Sequence, residues 1–150
     1  MNQIELAARE VETVDPSCSL LEAARRMADQ SVGCLVITDA SSEVPLGIVT
    51  DRDLVMLMAR GVDPSTQTVA SLTTRELETL RADEGLQQAT HKMRKHGVRR
   101  LPILDVEGRL AGIVSMDDLM VLLGRGMADL ALAVEGELLH ERAVKKRASD

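Results

Sequence analysis

The chain has 150 residues, and 18 Lys and Arg stand against 24 Asp and Glu, a formal charge of −6. With 45% hydrophobic and 28% charged residues it has the balance of an ordinary globular domain, which excludes disorder as the main state. The net acidity argues against a nucleic-acid binder, and no apolar run approaches the roughly 20 residues of a membrane-spanning helix. The N-terminus, MNQIELAARE, lacks the charged-then-apolar pattern of a secretory signal, so a cytoplasmic protein is expected.

Phe, Trp and Tyr are absent, so a ring-bearing ligand has to pack against aliphatic side chains. Cys18 and Cys34, with no CxxC and no His nearby in sequence, are expected as free thiols.

One motif is written twice. Residues 9–39 align with 75–105 at an offset of 66, with 11 of 31 positions identical. GIVTDRDLVMLMARG, residues 47–61, then aligns with GIVSMDDLMVLLGRG, residues 112–126, at an offset of 65 with 8 of 15 identical. Composition alone gives about one match in fifteen. Two copies are too few for a solenoid, so a pseudo-twofold pair sharing one core is expected.

In chain order, Ile4 and Leu6 form a short lead-in. Glu12 to Val14 is extended and is halted by Asp15-Pro16. Ser19 caps a helix, with Glu22 three residues on in a capping-box pattern, and Leu20, Ala23, Ala24 and Met27 follow at helical spacing. Cys34 to Ile37 reads as a strand buried on both faces, and Leu46 to Thr50 as a second. Thr50 or Asp51 starts the next helix, with Leu54, Leu57 and Met58 inward.

Residues 62–74 link the copies, with Val69, Ala70 and Leu72 mirroring the first lead-in. Copy two repeats the order. Glu78 to Leu80 is extended, and Leu86, Ala89 and Met93 mark a helix. Arg100 to Asp105 is a strand whose Pro102 suggests an edge position or a bulge, Leu110 to Ser115 is another strand, and a helix starts near Met116.

Residues 127–150 lie outside the repeat and read as a C-terminal helix with a basic tail. Met127, Leu130, Val134 and Leu138 share one stripe, which packs either on its own domain or against a second copy. The chain thus divides into repeat 1 with its lead-in (1–61), a linker (62–74), repeat 2 (75–126) and the helix with its tail (127–150).

The chemistry concentrates in Gly47 to Asp53 and Gly112 to Asp118. Each segment has a glycine, two β-formers, a hydroxyl residue and an Asp three residues later. The pairs Thr50 with Asp53 and Ser115 with Asp118 converge at a helix N-terminus. There a carboxylate can accept both hydroxyls of a vicinal diol, and free N–H groups can take a phosphate. The same residues can equally be plain N-caps closed by capping boxes. No catalytic set, phosphate-binding loop or metal-ligand spacing is visible, and His91, His96 and His140 read as surface residues.

In GIVTDRD, GIVSMDD, the VGCLVITD and VRRLPILD strands and the lead-in VASLTTRELETL, the chain resembles a CBS-domain pair, or Bateman module, over residues 3–126. In detail it is similar to the small stand-alone bacterial members. The resemblance implies an α/β (α+β) fold of two tandem βαββα repeats packed by a pseudo-twofold, with two clefts. It also implies homodimers built as flat discs through the repeat helices, to which the C-terminal helix can add.

It further implies a regulatory ligand such as AMP, ADP, ATP or S-adenosylmethionine, with no tightly bound cofactor. Carried over, Thr50, Asp53, Ser115 and Asp118 match ribose-binding positions. Thr13, Val14, Thr79 and Leu80, with Ile48 and Ile113, match positions that line the base. Arg99, Arg100 and Arg52 match positions that reach phosphate. The arginines favour the second site for a phosphorylated ligand; as a plain strand pattern they are solvent-facing charges. Two departures stand out: Asp117 replaces the basic residue that often precedes the ribose acid, and Arg100 stands where the family often has His.

A non-catalytic adenine-nucleotide sensor acting on its dimer state or on an unknown protein target is the expected function. A structural interaction module with vestigial sites is the alternative, and an enzyme has no positive feature in its support.

Overall fold

The computed structural model describes residue 4, residues 8–73 and residues 76–148. Leu6, Thr74, Arg75 and the last two residues of the tail lie outside the described residues. Repeat 1 consists of β1 (Thr13–Val14), α1 (Leu20–Gln30), β2 (Cys34–Thr38), β3 (Pro45–Thr50) and α2 (Asp51–Ala59). A short 3-10 turn (Val69–Leu72) precedes repeat 2, which consists of β4 (Leu80–Arg81), α3 (Leu86–His96), β5 (Arg100–Leu104), β6 (Leu110–Ser115) and α4 (Met116–Ala148). The expected βαββα order is present twice.

Each repeat forms a three-stranded sheet, β1-β2-β3 and β4-β5-β6. The outer pairs β1–β2 and β4–β5 are parallel, and the hairpin pairs are antiparallel. Helix α1 begins where the Ser19 side chain accepts the Glu22 N–H at 3.1 Å. Only half of the expected capping box forms there, because the Glu22 carboxylate turns to Arg26.

The cores repeat with the sequence. Val14, Ala23, Met27, Leu35, Ile37, Val49 and Leu54 make one. Their counterparts Leu80, Ala89, Met93, Leu101, Ile103, Val114 and Leu119 make the other. Strand alternation sends Leu35 and Ile37 to their own helices and Val36 to the opposite face. Val36 and its counterpart Pro102 are nevertheless fully buried. A residue buried on the face away from its own helices is covered by the other repeat, which places the two sheets face to face.

The lead-ins cross over. Ile4 is buried in the core of repeat 2, and Val69 in the core of repeat 1. Backbone pairing fixes this exchange: Arg9 bridges Ile113, and Ser19 bridges Thr68. The glycines of the two GIV segments make room for it. A Cβ on Gly112 would lie 3.0 Å from the Arg9 carbonyl oxygen, and one on Gly47 3.4 Å from that of Leu72.

Pro102 does not sit on an edge strand; β5 is central. The bulge between Ile103 and Leu104 is not its doing either, since Ile37 and Thr38 carry the same irregularity without a proline. What the proline changes is the parallel ladder. In repeat 1 the Val36 N–H donates to the Glu12 carbonyl at 3.0 Å. Pro102 has no N–H to give, so pairing of β4 starts one residue later, at Leu80 with Ile103. Thr79 thereby falls outside the strand that was expected to include it.

The final helix runs unbroken from Met116 to Ala148, so no helix boundary separates residues 126 and 127. Gly124 and Gly126 lower helix propensity by about 1 kcal/mol each without ending the helix. From Leu123 onward every residue whose burial is described is exposed. The helix therefore does not pack on its own domain beyond its first two turns.

Candidate functional site

Strand β6 ends at Ser115, and α4 begins at the next residue. The Asp118 Oδ2 accepts the Ser115 N–H at 3.0 Å and the Ser115 hydroxyl at 2.5 Å, while the Asp118 N–H donates to Ser115 Oγ at 3.1 Å. This reciprocal cap places a carboxylate at the positive end of a helix. Asp118 is the one buried charged side chain among the described residues. Its other oxygen, Oδ1, pairs with Arg9 Nη2 at 2.5 Å.

The Ser115–Asp118 cap opens into a cleft of about 910 Å³ between the repeats. Of the residues singled out by the sequence, the cleft brings together Ser115, Asp118, Ile113, Arg99, Arg100 and Thr13. Asp117 also lines it and pairs with Arg99 at 3.3 Å, so the acid that departs from the family pattern is partly neutralised by its neighbour. Arg100 reaches across to repeat 1, where its Nη2 would lie 3.8 Å from a Cβ on Gly33. Cys34 lines the same wall. Burial pushes its thiol above the usual value, and the Arg100 charge only partly offsets this.

The other expected residues lie elsewhere. Thr50 and Asp53 form the matching capping box in repeat 1: Asp53 Oδ2 accepts the Thr50 N–H at 2.9 Å and its hydroxyl at 2.8 Å. With Ile48 and Arg52 they do not line the cleft of Asp118. Val14 and Leu80 are core residues, 3% and 0% exposed, because each alternates with an outward-facing neighbour on its strand. At that position it is Thr13 that faces the cleft. The Thr79 carbonyl is taken by Lys92 Nζ at 2.9 Å. His96 is exposed, as expected, and its Nδ1 lies 3.0 Å from Glu78.

Arg9 escaped the sequence reading. It stands about 100 residues from Asp118 in the chain, and only the crossed lead-in brings the two together. The available signal was the first column of the internal alignment, where Arg9 and Arg75 are identical.

A protein-family comparison decides the class. The CBS domain matches residues 4–60 and again residues 69–125. The chain is a tandem CBS-domain pair. It is 35% identical over 117 residues to the uncharacterized protein MK0525 of Methanopyrus kandleri, a match covering 77% of this chain and 59% of that one. It is also 35% identical over 113 residues to the CBS domain-containing protein YhcV of Bacillus subtilis, covering 75% and 78%. Among solved structures, the CBS domain pair of protein MJ0100 in complex with 5′-methylthioadenosine and S-adenosyl-L-methionine superposes with a TM-score of 0.71. That likeness is at 25% identity and covers 84% of this chain and 98% of that one.

Among the described residues of this CBS pair, no three His, Cys, Asp or Glu side chains are grouped to hold a metal ion. Among the same described residues, no helix is long and apolar enough to cross a membrane.

Proposed function

We propose that this CBS pair is a non-catalytic sensor that binds an adenosine-containing nucleotide or S-adenosylmethionine in the cleft of Asp118. One observation carries the reading: a buried carboxylate, fixed by a serine at a helix start, opens into a cleft that three arginines share. Asp118 and Ser115 suit the ribose diol, Ile113 offers an aliphatic surface to the base, and Arg99 and Arg100 suit phosphate. The site at Asp53, with Thr50, Ile48 and Arg52, is the weaker partner. The adenosine compounds held by the MJ0100 pair support the ligand class.

The same helix offers a route for the signal. Asp118 lies in the first turn of α4, and the 33-residue helix extends about 45 Å beyond it. Along the way it exposes Met127 (72%), Leu130 (70%), Leu132, Val134, Leu138 and Leu139. In residues 127–134, MADLALAV, only Asp129 is polar, and a helix apolar all round is a buried helix.

A second copy of this chain is the partner that fits. The acids Asp129, Glu135 and Glu137 precede the basic end from Arg142 to Arg147. Antiparallel pairing of two such helices sets acid against base. Ligand binding at Asp118 shifts this dimer only as far as it favours one state over the other. The interaction module with vestigial sites is the second reading, favoured by the ion pairs that already engage Asp118 and Asp117.

Scanning calorimetry with AMP, ATP, S-adenosylmethionine and adenosine separates the two. A ligand at 100 times its Kd adds about 2.7 kcal/mol, roughly 5–10 °C in Tm at this chain length. The sensor requires such a shift in the wild type and in Asp53→Ala, and its loss in Asp118→Ala. No shift with any compound leaves the interaction module standing.

A further inference from the structure

Asp118 is held from two sides. Its Oδ2 takes two hydrogen bonds from Ser115, and its Oδ1 takes one from Arg9. An ionised carboxylate offers about four acceptor sites, so one remains open. A vicinal diol brings two donors. Arg9 therefore has to leave Oδ1 before both hydroxyls of a ribose can bind.

The backbone of Arg9 cannot follow. Its N–H donates to the Ile113 carbonyl at 3.0 Å, and the Ile113 N–H donates back at 3.1 Å. The side chain is free to swing: it is 73% exposed, against 8% for that of Asp118, and it lines the cleft beside Arg99 and Arg100. Once displaced, the guanidinium stays in the cleft and needs a new partner.

On the nucleotide reading of this cleft, we infer that Arg9 is a specificity-determining residue that selects phosphorylated ligands over the bare nucleoside. A nucleotide takes Asp118 from Arg9 and returns a phosphate to it. A nucleoside takes the carboxylate and returns nothing, so the lost ion pair weighs fully against binding. Arg9 thus acts twice, as a competitor for the ribose acid and as a third cation for phosphate.

The test is isothermal titration of AMP and of adenosine into the full chain as wild type, Arg9→Ala and Arg9→Gln. The glutamine variant keeps a neutral donor near Asp118 in case the alanine variant is poorly folded, and circular dichroism at 222 nm checks both. The wild type is expected to prefer AMP. In Arg9→Ala, AMP binding weakens, adenosine binding tightens, and the ratio of the two affinities falls about tenfold or more. AMP binding to the wild type with an unchanged ratio in both variants overturns the role of Arg9 and leaves the nucleotide site intact. No binding of either compound to any of the three proteins overturns the nucleotide reading and this inference with it.

Discussion

Replacing Gly112 by alanine tests the crossed lead-in that organises the cleft. The new Cβ would meet the Arg9 carbonyl oxygen at 3.0 Å and the Ala8 Cβ at 3.8 Å. Backbone is on the other side of the contact, so the lead-in has to retreat by a few tenths of an ångström. That stretches the two Arg9–Ile113 hydrogen bonds, now 3.0 and 3.1 Å, at a loss of about 1 kcal/mol for each one broken. The stiffer unfolded chain returns about 0.4–1 kcal/mol. A net destabilisation of about 1 kcal/mol follows.

Gly47→Ala is the internal control. Its Cβ meets Ile37, Leu72 and Thr73 atoms at 3.4 Å, an ordinary contact, so only the unfolded-state gain remains. The two variants are expected to differ by about 1–2 kcal/mol, roughly 3–6 °C in Tm. Calorimetry or far-ultraviolet circular dichroism reads this, since a chain without Trp and Tyr offers almost no near-ultraviolet absorbance or intrinsic fluorescence. Equal effects in the two variants, or a larger loss at Gly47, would refute the close approach of the lead-in as the reason for the glycine.

Three further outcomes are expected. Ser31 ends α1 with φ of 54°, where repeat 2 has Gly97 at 66°, so Ser31→Gly should raise stability by about 1 kcal/mol in urea unfolding. Burial would push the Glu84 carboxyl up, but the Lys92 ammonium at 2.7 Å and the Arg81 N–H outweigh it and hold it below its usual value. A lowered pKa in the folded state gives stability that is present above the ordinary carboxylate value and lost as pH falls through the folded one. The stability gap between wild type and Glu84→Gln should therefore shrink between about pH 6 and pH 3; a gap that widens would reverse the sign. Leu130→Glu combined with Leu138→Glu should turn a dimer into a monomer by sedimentation, with the circular-dichroism melt of the repeats unchanged, and a monomeric wild type would remove the second copy as the partner.

Much of the fold was legible because the repeat is written into side-chain chemistry. The core pairs Leu35 with Leu101, Ile37 with Ile103 and Met27 with Met93 are the columns that carry the alignment. What escaped was non-local. Nothing about the sequence neighbours of Ile4 or Val69 tells which core each enters, and the exchange is fixed by backbone bridges that any side chain can make. Pro102 was read from its own strand, whereas its effect appears on β4, which loses a partner for one residue.

For the site, Ser115 and Asp118 were readable because capping geometry is local. Arg9 was not, because its pairing depends on the crossover. Val14 and Leu80 show the limit of assigning a strand edge as a unit, since alternation gives one residue to the cleft and the next to the core.

The most direct measurement is a crystal structure of the full chain grown with AMP. The ribose hydroxyls are expected on Asp118, the phosphate against Arg99 and Arg100, and Arg9 turned away from the carboxylate it holds without ligand. AMP seated instead at Asp53, or absent with Arg9 still paired to Asp118, would contradict the assignment of this cleft as the nucleotide site.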